Sequence, residues 1–340
     1  MNKLCHYLDL LGLVWFVPLV RFIAGQDRAY QGQIFLKMVG PPILAIVLAL
    51  GTWHVVAVTV KLGEMALPTP AEVGKRGMEM VEEWKAERQR AVDYEITVTK
   101  NAAQSGMTVE QIKQVMRFEH KKTFTSQVWL SLMTAFAGVG LGVVIAVPIG
   151  IICGLSGVAF AMANPLIQVL KPVSPLAWFP VVYIIINKAM EGMPNDGPIS
   201  KSFLIAMLVV TLCSLWPSLI NTANGVANVE KDHLNVARVL NLGIFTRIWR
   251  IILPSSLPHI FTGMRLSMGI GWMVLIAAEM MAVSPGLGGF IWDWYQSSND
   301  IALSYLLLAV VVIGVIGFLI DRVMIALQRL VSHGSTATIR

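Results

Sequence analysis

Six stretches of about twenty apolar residues constrain this chain more than any other feature. They run over roughly 39–60, 128–153, 164–186, 203–222, 260–283 and 303–327. A bilayer's hydrocarbon core needs about 20 mainly apolar residues per helical crossing. Inside it, only helices and closed barrels satisfy their own backbone polar groups. Six runs of this length predict an all-α, polytopic membrane protein. They override the two soluble domains that 340 residues alone would allow. Composition agrees: 14% of residues are charged, against about 25% in a soluble domain.

A seventh apolar stretch, 7–25, is interrupted by Asp9, Pro18 and Arg21. It reads as an amphipathic helix lying in the interface rather than as a span. Residues 1–38 then form an N-terminal cytoplasmic or interfacial segment, 39–327 the transmembrane domain and 328–340 a cytoplasmic tail. Basic residues in short loops set orientation. Lys231, Arg238, Arg247 and Arg250 lie between spans four and five, whereas 284–300 holds Asp293 and Asp300 and no Lys or Arg. With six spans, the basic N-terminal segment, residues 223–258 and the basic tail all fall on one side, so both termini and residues 223–258 are expected in the cytoplasm. The net charge of +6 is explained by that bias, and its Lys and Arg are not interleaved with aromatics as nucleic-acid binding requires. Cys5, Cys153 and Cys213 lie in or beside apolar runs without metal-ligand spacing.

Residues 61–126 are different. "MEMVEEWKAERQR" and "TVEQIKQVMRFEHKK" are mixed-charge helical patterns, expected as a solvated helical hairpin outside the cytoplasm, with a docking surface for an external partner as the alternative. Phosphate-loop, HExxH and nucleophile-elbow patterns are absent from the sequence. The chain reads as a non-enzyme.

Ionisable residues inside spans are costly and therefore functional candidates. Lys171 falls in the cytoplasmic third of span three, Arg265 near the cytoplasmic end of span five, and Glu279 toward its outer end. Lys171 and Arg265 bias an inner half-pathway toward anions, with interface snorkelling the bland alternative for Arg265. For Glu279, hydrogen bonding that fixes an outer gate fits better than anion contact. Pro172, Pro175 and Pro180 break span three, and Ser174, Trp178 and Trp272 join the pathway candidates. Gly263, Ser267 and Gly271 recur every four residues on span five, as Gly138–Gly142 and Gly150–Gly154 do on span two, which permits close helix packing.

Between spans four and five, "GVANVEKDHLNVARVLN" and "FTRIWRIIL" read as two short amphipathic helices. Phe245, Ile248, Trp249 and Ile252 share one face of the second, with Thr246, Arg247 and Arg250 opposite. Asn241–Gly243 supplies a tight reversal. Pro254 is expected to end the second helix, and Pro258 to begin the approach to span five.

This segment resembles the "EAA" loop of permease subunits of type I binding-protein-dependent ABC importers. Counting back from Leu253-Pro254 sets the family's Glu-Ala-Ala on Asn235-Val236-Ala237, its Gly on Asn241 and its Ile on Ile251. The chain departs from the pattern at the Glu, the middle Ala and the Gly. "ALPTPAEV" (66–73), "NPLIQVLKPVSPLAWFPVVY" (164–183) and "AAEMMAVSPGLGGFIWDWYQSSN" (277–299) extend the resemblance to the branch importing nitrate, bicarbonate, cyanate and taurine or other sulfonates. "RVLNLG", "FTGMRLSMGIGW" and "GGFIWDWY" look closest to nitrate and bicarbonate permeases. The resemblance implies six core helices, a homodimer, a periplasmic binding protein that delivers substrate, and ABC ATPase subunits that carry ATP and Mg. No cofactor is expected in this chain. It also implies coupling to the ATPase through Asn235, Val236, Ala237, Arg238, Asn241, Gly243, Arg247, Arg250, Ile251, Leu253 and Pro254. Nitrate is the first substrate expectation; bicarbonate, cyanate and sulfonates follow. The rivals of other classes are an ion-gradient-driven transporter or channel and a non-transporting scaffold.

Overall fold

A computed structural model of the chain describes residues 18, 20–21, 28–62, 65–116, 118, 121, 123–192, 200–230, 232, 235, 239–297 and 301–336. The interfacial helix expected over 7–25 lies outside these residues apart from Pro18, Val20 and Arg21, and so do Val236, Ala237 and Arg238.

Helix α1 (Arg28–Thr59) is followed by a hairpin of two-residue strands, β1 (Lys61–Leu62) and β2 (Met65–Ala66). Then come α2 (Pro70–Ser105), α3 (Val109–Val115), α4 (Phe124–Leu155), α5 (Gly157–Leu170), α6 (Pro175–Ala189) and α7 (Lys201–Ala227). A short α8 (Ile244–Arg247) runs through a π-helical turn, Ile248–Ile252, into α9 (Leu253–Met281). Helices α10 (Leu287–Ser297) and α11 (Ala302–Thr336) complete the chain. Five stretches are long and apolar enough to cross a membrane: Leu36–Thr59, Phe124–Leu155, Lys201–Ala227, Ile244–Met281 and Ala302–Val331. The protein is a multi-pass inner-membrane protein.

The third expected span departs from a straight rod. Helices α5 and α6 meet at 99°, and the proline positions account for it. Pro172 and Pro175 supply no backbone N–H to continue the ladder, and Ser174 caps α6 by accepting from Leu176 N at 3.3 Å. Pro180 is carried inside α6. The uncharged stretch 154–163, between the second and third apolar runs, is helical except at Ser156. Ser156 has extended backbone and accepts from Ala159 N, so it starts α5 as soon as α4 stops.

The core is built on α7, whose packing against α4 and against α9 is the most extensive in the fold. Small residues make this possible. A methyl added at Gly150 would sit 2.7 Å from Thr222 Cβ, and one at Gly138 would sit 2.8 Å from Met207 O. On α9, a methyl at Gly263 would sit 2.9 Å from Ser218 Cα. Ser267 and Ser218 hydroxyls lie 2.8 Å apart, and Gly271 abuts Val139. The four-residue stripe on span five is therefore used inside the chain, against α7 and α4.

Helix α11 is tied to α9 at three heights. Gln328 Nε2 donates to Thr262 Oγ1 at 2.9 Å, Arg265 Nε to Asp321 Oδ1 at 2.8 Å, and Trp272 Nε1 to Ile313 O at 3.1 Å. Hydrogen bonds to polar side chains are the standard adhesive between spans. Helix α1, in contrast, leaves Ile43, Leu44, Ile46, Val47 and Leu48 exposed.

The outer segment is only partly the solvated hairpin expected. Capping boxes start both helices, Thr69 with Glu72 on α2 and Thr108 with Gln111 on α3. Gly106, at φ 65°, closes α2 in the left-handed conformation that glycine adopts at little cost. The root of α2 is packed, with Val73 and Met80 joining Phe290, Tyr305, Leu308 and Ala309 in one cluster. There Arg76 donates to Glu79 at 2.7 Å, and that hydrogen bond holds the Glu79 carboxyl below the usual carboxylate range. The remainder of α2 projects beyond this cluster, and α3 returns along it through a Lys113–Glu95 contact of 2.8 Å.

Candidate functional site: a continuous helix from an exposed knob to a buried carboxylate

The knob before span five begins at Asn241, whose φ of 50° places it in the left-handed region. Asn tolerates that conformation better than most residues, and it turns the chain where the sequence predicts a reversal. Gly243 is extended (φ −59°, ψ 154°) and precedes α8.

The path of the chain beyond α8 corrects the expectation for Pro254, which does not end a separate helix. Leu253 N–H bonds Ile248 O, five residues back, and this one wide turn leaves room for the Pro254 ring. Pro258 also lies within α9. Ile244–Met281 is consequently one 38-residue helical stretch, and the knob is the N-terminal end of span five itself.

The wide turn also alters which residues are covered. Ile252 is buried, and Ile248 packs with it against Val226, Val229 and Ile151. Phe245 and Trp249, expected to share a face with these two, are 77% and 68% exposed. With Val239, Leu240 and Ile244, also exposed, they form an apolar patch. Arg250 is exposed and Arg247 partly buried. Ile251 and Leu253 are partly buried, Pro254 is exposed, and Asn235 is exposed before the turn.

The C-terminal end of this helix carries a buried polar latch. Glu279 is fully buried. Its Oε2 accepts from Ser131 Oγ of α4 at 2.7 Å and from Gly288 N at 3.0 Å. Ser131 Oγ in turn accepts from Leu287 N at 2.8 Å. One carboxylate and one hydroxyl thereby hold the first turn of α10 against α4 and α9. Ser284 N also bonds Glu279 O at 3.0 Å, and Val283 sits at φ 48°, unusual for a β-branched residue. Gly286 and Gly288 press on Glu279 so closely that a methyl at either would collide with it.

The other sequence candidates fall into two groups. Lys171 and Ser174 are exposed at the 99° bend, and Trp178 is partly buried. Among the described residues, Lys171 makes no salt bridge. Arg265 and Trp272 are tied to α11 by the contacts above. Sequence reasoning misses Asp321, although a signal for it exists: an acid inside span six faces a span carrying a lone Arg. Asp321 also bonds Arg322 at 3.0 Å, so two guanidinium groups share one carboxylate. Trp272 is 6% exposed and fills space beside Gly317 rather than a cavity. The described residues contain no cluster of acids, histidines and cysteines able to hold a metal.

Comparison with known proteins agrees with this architecture. Residues 146–333 match the family described as "Binding-protein-dependent transport system inner membrane component". The bicarbonate transport system permease protein CmpB of Synechococcus elongatus is 38% identical over 200 residues, 58% of this chain and 66% of the relative. The nitrate import permease protein NrtB of the same organism is 34% identical over 206 residues, 61% of this chain and 69% of the relative. The taurine transport system permease protein TauC of Escherichia coli is 31% identical over 213 residues, covering 62% and 69%. The chain spans about two thirds of the length of these relatives. With the matched region running from within α4 through most of α11, and with a spanning helix that continues into an exposed knob, the chain belongs to the binding-protein-dependent transport system inner membrane components.

Proposed function

We propose that the chain is the permease subunit of an ATP-driven importer of a small anion, with nitrate as the leading substrate. A periplasmic binding protein delivers the anion to the outer face, and partner ABC ATPases carry ATP and Mg. The observation that carries this reading is the uninterrupted helix Ile244–Met281. Its cytoplasmic end presents Phe245, Trp249 and Arg250 to a partner, and its outer end holds the Glu279 latch. A pull on residues 244–252 moves α9 bodily. The close glycine contacts oblige α7 and α4 to follow, and the three polar ties bring α11 along.

A second copy of the chain is part of this proposal. Support comes from α1, whose spanning stretch is only 6% buried, against 28–56% for the other four straight spans. Lys171 and Ser174 at the exposed bend fit a pathway shared between two copies, where an unpaired cation attracts an anion. Bicarbonate is the second reading: the bicarbonate permeases are 36–38% identical and the nitrate permeases 33–36%, so identity does not separate the two.

Reconstitution tests both. Proteoliposomes holding the permease, its ATPase and its binding protein should accumulate labelled nitrate only with ATP inside. Accumulation of bicarbonate but not nitrate selects the second reading. Uptake that survives ATP depletion and collapses with an ionophore refutes both.

A further inference from the structure

We propose that the protein holds one acyl chain of an outer-leaflet lipid in a pocket between α9, α10 and α11. The pocket has a volume of about 420 Å³ and is lined by Met280, Ile291, Trp292, Tyr295, Leu306 and Val310. That volume lies in the range of small-molecule sites and far exceeds a single water. The lining side chains are almost wholly apolar, so water gains too few hydrogen bonds there to be stable.

The location selects the occupant. Met280 is the penultimate residue of α9, and Leu306 lies within the first turns of α11, so the pocket sits at the outer boundary of the hydrocarbon core. Trp292 and Tyr295 stack with ring centroids 5.8 Å apart, side chains enriched at headgroup depth. Val310 both lines the pocket and is 59% exposed. It begins the exposed strip of α11 formed by Val311, Val315, Phe318 and Leu319, so the pocket opens onto the membrane-facing side of a spanning helix. A chain lying along that strip enters between Leu306 and Val310, with its ester end beside the aromatic pair. Helix α10 therefore rests on protein through the Glu279 latch and on lipid through this pocket.

The test uses the full chain in nanodiscs made with a phospholipid bearing a photoactivatable diazirine in mid-chain. Cross-linked peptides should concentrate on 291–295 and 306–310, several-fold above the exposed α4 face of Val144, Ile145, Ile149 and Ile152. Leu306→Trp fills the pocket and should remove the excess there while labelling of α4 stays unchanged. If that variant does not purify as a folded protein, Val310→Trp blocks the rim instead. Equal labelling of both regions, or an excess that survives a blocking variant, overturns the proposal. So does efficient chain-to-chain disulfide formation by Val310→Cys in native membranes, because a second copy would then occupy the pocket.

Discussion

Replacing Glu279 should separate a positional role from a charge role. Its Oε2 receives both hydrogen bonds of the latch, while Oε1 has no partner among the described residues. Glu279→Gln can set its carbonyl oxygen where Oε2 lies and keep both bonds, so stability should change by no more than about 1 kcal/mol. Glu279→Ala removes both bonds and leaves Gly288 N–H without its acceptor. An orphaned buried donor costs about 1–3 kcal/mol, and truncating a fully buried side chain adds a cavity term, for an expected loss of about 3–5 kcal/mol. Ser131→Ala breaks the same latch from the other side, so the double variant should cost less than the sum of the singles by roughly 1–3 kcal/mol. Reversible unfolding in mixed micelles, followed by tryptophan fluorescence, reads these values. An Ala variant as stable as the Gln variant, or strictly additive effects of the two positions, would refute the latch.

Asp321→Asn should destabilise more than Arg265→Gln, by about 1 kcal/mol. The first leaves two guanidinium groups facing each other, whereas the second leaves Asp321 bonded to Arg322. Adding Arg265→Gln to Asp321→Asn should recover part of the loss in the same assay. Gly150→Ala meets Thr222 and should cost about 1–3 kcal/mol through overpacking. Gly140→Ala meets open space and should be neutral or stabilising by roughly 0.5–1 kcal/mol; equal effects would contradict the packing described. Arg247→Glu combined with Arg250→Glu should abolish co-purification of the ATPase while leaving the permease folded, and a normal yield of ATPase would count against docking at the knob.

Much of the fold was legible because lipid permits few solutions. The apolar runs marked the five straight spans, the prolines at 172 and 175 marked a break, and Asn241 marked a left-handed turn. The 99° angle between α5 and α6 was not legible, since a proline signals a broken ladder without giving the direction of the next helix. The π-helical turn was hidden for a related reason. Pro254 normally signals a helix end, and only the wider Leu253–Ile248 bond reveals that the helix absorbs it. The small-residue stripe on span five was visible, but its partner was not: spacing identifies a close contact and leaves open which helix makes it. Glu279 was recognised as a hydrogen-bonding carboxylate, while its donors Ser131 and Gly288 lie 148 and 9 residues away.

The most direct test of the lever replaces Cys5, Cys153 and Cys213, introduces Trp249→Cys, and attaches a short photoactivatable cross-linker there in the assembled transporter. Trp249, 68% exposed at the cytoplasmic end of the Ile244–Met281 helix, should cross-link to the ATPase, with a yield that changes when ATP binds. Labelling of lipid alone, with or without ATP, would contradict the transmission of force through this helix.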